Sequence, residues 1–86
     1  MKLNVKAVAI SLGMVWGILA MLLTGIVNLI WPEYGQDFLW TMASVYPGYE
    51  TGTVFGVILG TLYGLVDGAV IGAAYAWLYN RVAAAG

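Results

Sequence analysis

Residues 52–72 read GTVFGVILGTLYGLVDGAVIG. Gly52, Gly56, Gly60, Gly64, Gly68 and Gly72 stand four apart, and Asp67 sits beside the fifth of them. In water each glycine weakens a helix by about 1 kcal/mol relative to alanine. In lipid the balance differs. Backbone hydrogen bonds are forced to close within the helix, and helices associate through close backbone approach because the hydrophobic effect no longer drives them together. A ladder of glycines at this spacing therefore reads as the packing groove of a membrane helix.

Its partner is legible upstream. Ala9, Gly13, Gly17 and Gly25 form a sparser series in an equally apolar stretch. In an antiparallel pairing with ~1.5 Å rise per residue, Gly17 is expected level with Gly68, Gly13 with Gly72 and Gly25 with Gly60. A right-handed crossing near ~−40° is the geometry such residues favour. Each four-residue step turns the ladder by about 40°, or roughly 200° from Gly52 to Gly72. One straight partner cannot follow it, which predicts different neighbours at its two ends, and hence a homo-oligomer or a complex with larger membrane subunits; the alternative is one long supercoiled contact.

The composition agrees. Of 86 residues 63% are hydrophobic and 8% charged, against about 25% charged in a soluble domain. Residues 7–30 carry no charge, and in residues 53–79 the only charge is Asp67. About 20 apolar residues span a bilayer. The expected fold is all-α and membrane-embedded: a single domain, 1–86, built as an antiparallel hairpin of two transmembrane helices at about 7–30 and 53–79. The first run exceeds the roughly 7–15 apolar residues of a secretory signal and no A-x-A-like site follows, so it is read as a retained span. With no cysteine or histidine, disulfides, histidine-ligated haem and the usual zinc sites are not expected. No cofactor or metal is implied, and without a basic patch no nucleic-acid partner.

Lys2 and Lys6 precede the first span and Arg81 follows the second, while the connector, 31–51, holds Glu33, Asp37 and Glu50. The positive-inside bias places both termini in the cytoplasm and the connector outside a cell (inner) membrane. Trp31, Tyr34, Trp40, Tyr46 and Tyr49 in the connector, with Trp77 and Tyr79 at the other end, read as anchors at headgroup depth in contact with membrane lipids. Pro32 is expected to end the first helix near Ile30. Phe38, Met42 and Val45 recur at helical spacing and predict a short interfacial helix, with Asp37 as its candidate cap. Tyr46-Pro47-Gly48-Tyr49 reads as a turn. The connector serves either as an aromatic anchor, the reading we favour, or as a binding lid.

Asp67 is projected away from Phe55, Leu62, Val66 and Ala73, toward packed protein, ~18 Å from the cytoplasmic end near Tyr79. No Lys or Arg stands at that depth. Tyr63, one turn away, and Trp16, unusually deep for tryptophan, are the candidate partners of an intramembrane polar site. An acid in a membrane is by default a functional candidate. It either handles ions or protons or fastens helices together.

MKLNVKA at the start, VWG around Trp16, Tyr46-Pro47-Gly48-Tyr49, Asp67-Gly68 and Ala76-Trp77-Leu78-Tyr79-Asn80 carry a resemblance over nearly the whole chain. It resembles a family of small two-span prokaryotic membrane proteins of unknown function, often labelled bacteriophage holin. The resemblance implies the hairpin architecture and, through the label, assembly into membrane lesions. Similarity to the rotor subunit of rotary ATP synthases is one of design only: a glycine-rich hairpin with a carboxylate in its second helix. The polar Arg-Gln-Pro loop of that subunit is missing.

Three functional readings follow: self-assembly through glycine-rich packing, as a holin-like or structural element; an accessory subunit of a larger membrane complex; and proton or ion handling at Asp67. A wide water-filled pore fits poorly, since beyond Asp67 the second helix offers only Thr53, Thr61 and Tyr63 as polar lining. Enzymatic activity is not expected, because no nucleophile–base pair or metal constellation is present.

Overall fold

The computed structural model describes residues 2–85. Helix α1 (Val5–Met14) runs without a break through a π-helical stretch (Val15–Leu22) into α2 (Leu23–Ile30); α3 (Gln36–Val45) and α4 (Val54–Ala85) follow. No strand occurs among the described residues. The continuous helix Val5–Ile30 has 26 residues and α4 has 32, and both are long and apolar enough to cross a membrane.

Local chemistry sets the ends of the first helix. The Asn4 side chain accepts the Ala7 N–H at 3.0 Å, a standard N-cap. After Ile30 the backbone at Trp31 turns extended, one residue before Pro32. Asn28, only 5% exposed, closes the turn that follows. Its Nδ2 donates to the carbonyls of Pro32 at 3.0 Å and Tyr34 at 2.9 Å, which satisfies groups the turn would otherwise leave unpaired. At the π stretch the ladder widens, and the Leu23 N–H reaches the Ile18 carbonyl five residues back.

The long helices lie side by side in opposite directions. A methyl group added at Gly13 would meet the Leu65 carbonyl at 2.7 Å, one at Gly64 the Gly17 Cα at 2.8 Å, and one at Gly72 the Val8 carbonyl at 2.8 Å. At Gly68 it would collide with the Leu12 carbonyl. The register differs from the expected one by a full turn. Gly17 faces Gly64 rather than Gly68, Gly13 lies against Gly68 rather than Gly72, and Gly25 meets Val57 rather than Gly60. Because both series repeat every four residues, a one-turn slide keeps them in phase, so spacing alone cannot choose between the two. Part of the choice is made at the open end. There the Leu3 N–H donates to Asn80 Oδ1 at 2.7 Å, and Asn80 Nδ2 donates to the Leu3 carbonyl at 2.9 Å.

The connector folds back alongside this pair. Gly35, at φ +64°, supplies the left-handed residue that starts α3. Asp37 falls inside the first turn and makes no capping bond, correcting the expectation that it would cap this helix. Leu39 and Met42 are buried in one cluster with Met21, Tyr46 and Tyr49. Tyr46 to Tyr49 then form a turn closed by the Tyr49 N–H on the Tyr46 carbonyl at 3.1 Å, with Gly48 at φ +81°, as a type II turn requires.

Candidate functional site

Three side chains from three elements form a hydrogen-bonded chain. Trp16, on the π stretch, donates its Nε1–H to the Tyr46 hydroxyl at 2.8 Å. Tyr46, at the end of α3, donates its own O–H to Asp67 Oδ2 on α4, also at 2.8 Å. The Tyr46 ring stacks on Tyr63 with centroids 4.8 Å apart and planes at 13°. Tyr63 donates its hydroxyl to the Pro47 carbonyl at 2.6 Å. Phe38 closes the site with its ring at 79° to Trp16 and 5.9 Å away.

Trp16 and Asp67 are thus brought together, but through Tyr46, which had been read as a headgroup anchor. Tyr63 holds the connector backbone rather than the carboxyl. Tyr46 is 4% and Tyr49 8% exposed, so neither sits as an open interfacial ring. Trp31, Tyr34, Trp40, Trp77 and Tyr79 are exposed. Trp31 packs near Tyr34, Tyr75 stacks on Tyr79, and Arg81 lies 5.2 Å over the Trp77 ring.

Proton traffic through this chain is constrained by its chemistry. Indole N–H is a donor only, so the sequence Trp16 to Tyr46 to Asp67 ends at a group that cannot pass a proton on. It links three elements, the first helix, the end of α3 and α4. Asp67 remains half-buried, and among the described residues its carboxyl receives no hydrogen bond other than that from Tyr46. Beside it Leu12, Val15, Trp16, Gly68 and Ile71 line an apolar groove of about 110 Å³. No cluster of three metal-ligating side chains forms among the described residues.

The glycine ladder does meet different neighbours at its ends, and the structure supplies them from the same chain. Gly64, Gly68 and Gly72 face the first helix, Gly60 lies under the Tyr49 ring and the Met21 methyl, and Gly56 lies against the Glu50 carbonyl. Gly52 is outside the helix. Nothing approaches its missing side chain, and its role is a turn at φ +74°. The winding of the ladder therefore requires no second subunit. Asn28 is not singled out by the sequence reading, and Asn80 appears there only within the motif that carries the resemblance. Each is a lone amide near the end of an apolar run, and that placement is a usable signal; the pairing of Tyr46 with Asp67, 21 residues apart, has no local one.

Compared with known proteins, the chain matches no family model, no curated protein and no solved structure.

Proposed function

We propose that this is a non-enzymatic integral membrane protein that works by assembling with further transmembrane helices, in the first place copies of itself. Its two long helices cross the cell membrane as a hairpin, with the termini on the cytoplasmic side and the acidic connector outside. Charge distribution supports this orientation: Lys2, Lys6 and Arg81 lie at one end, Glu33, Asp37 and Glu50 at the other. The outer surface supports the crossing itself: Ile10, Met14, Leu19, Val66, Val70 and Ile71 are each about half exposed or more, a surface suited to lipid.

The observation that carries assembly is Asp67. Among the described residues its carboxyl has a single donor, the Tyr46 hydroxyl, and the residue is only partly buried, between the exposed Val66, Val70 and Ile71 of the same helix. An intramembrane carboxylate costs at least about 2.5–3.5 kcal/mol unless protein or water covers it. A second chain docked over this face would cover it, and a two-fold axis there would be self-complementary.

Oxidative cross-linking in native membranes tests the proposal, because the chain has no cysteine of its own. Ile71, one turn from Asp67 on the same face, and Leu62, on another face, are similarly exposed at 56% and 54%. Ile71→Cys is expected to give covalent dimers and Leu62→Cys to remain single. Equal cross-linking at both, or none at Ile71→Cys, contradicts assembly through this face.

A further inference from the structure

Residues 38–49 carry no charge, and Asp37 and Glu50 bracket them. The structure places this uncharged segment beside the long helices rather than above them. The longest dimension of the molecule is 47 Å, which α4 alone fills at ~1.5 Å for each of its 32 residues. Counting about 20 residues of hydrocarbon from Lys6 puts the outer boundary near Ile26, which the observed register sets level with about Gly56, and counting back from Arg81 puts it near Thr61, so on α4 it falls between Gly56 and Thr61. Gly35 lies against Thr24, close to that boundary. Leu39 and Met42 pack with Met21, and the Tyr46 hydroxyl meets Asp67, roughly 9 Å below Thr61 along α4.

We propose that the connector is a re-entrant segment, which dips into the outer half of the bilayer with its Tyr46 end deepest. This rests on the membrane-spanning reading above. Irregular backbone is tolerated at membrane depth only where protein or water covers it; on the return from Tyr46 to Thr53, Tyr46 and Tyr49 are buried against the rest of the chain, while Pro47, Gly48, Glu50 and Gly52 are exposed. Tyr63 caps the Pro47 carbonyl, Tyr49 is buried on Gly60, and the Glu50 carbonyl sits on Gly56 and accepts from Thr53 Oγ1 at 3.4 Å. On α3 the Thr41 and Ser44 hydroxyls donate to the carbonyls of Asp37 and Thr41, so neither demands water. The side chains left open toward the deep end include Trp40 and Val45, at 61% and 60% exposure. They are apolar groups suited to lipid.

Spin labels on single cysteines in liposomes provide the test, with molecular oxygen as the lipid-soluble and a nickel chelate as the water-soluble relaxant. Gln36→Cys reports the shallow end, Val45→Cys the deep end, and Val70→Cys the exposed surface of α4. Val45→Cys is expected to favour oxygen over nickel several-fold more than Gln36→Cys does, approaching Val70→Cys. Nickel access at Val45→Cys equal to that at Gln36→Cys, or low access to both relaxants, overturns the re-entrant segment. Nickel access at Val70→Cys would instead overturn the membrane-spanning reading itself.

Discussion

At the scale of single residues, the decisive contact is the hydroxyl of Tyr46, which accepts from Trp16 and donates to Asp67. Tyr46→Phe keeps the ring stacked on Tyr63 and removes both hydrogen bonds. Leaving the indole N–H and the carboxyl without their partner is expected to cost about 1–3 kcal/mol, measured as a lowered unfolding midpoint in detergent micelles. An unchanged midpoint would mean that the chain of three is incidental. Asn28→Leu is expected to destabilise by a comparable amount, since it strips the donor from the Pro32 and Tyr34 carbonyls. Asp67→Asn keeps an acceptor for Tyr46, so its loss of stability should be smaller than that of Tyr46→Phe in the same assay.

At the scale of elements, packing between the long helices is a matter of backbone approach. Gly68→Val has no space, because the Leu12 carbonyl and the Gly13 Cα already occupy it. It is expected to cost at least the 1–3 kcal/mol typical of overpacking. Gly52→Ala meets no neighbour, and its cost is the backbone strain of φ +74° alone, about 1–2 kcal/mol. Unfolding of the two variants side by side checks the order. Here the sequence was partly transparent. The apolar runs marked both long helices, Pro32 marked the end of the first, and the four-residue spacing marked the faces in contact. The register was not legible, since a periodic ladder fits equally well one turn away. Nor was the descent of the connector. Aromatic residues suit both a headgroup belt and a buried cluster, and only the contacts of Tyr46 and Tyr49 tell the two apart.

For the whole molecule, the internal use of the ladder shifts where assembly must be sought. Gly56 and Gly60 are covered by the connector, and Gly64, Gly68 and Gly72 by the first helix, so a neighbour has to dock elsewhere, and the face beside the partly buried Asp67 is where we place it. The most direct measurement is the native mass of the complex, released gently from its own membrane. A discrete multiple of the 9.2 kDa chain, reduced by the bulky change Ile71→Trp beside Asp67, is the predicted result. A single chain, or a fixed complex with larger subunits, would contradict self-assembly.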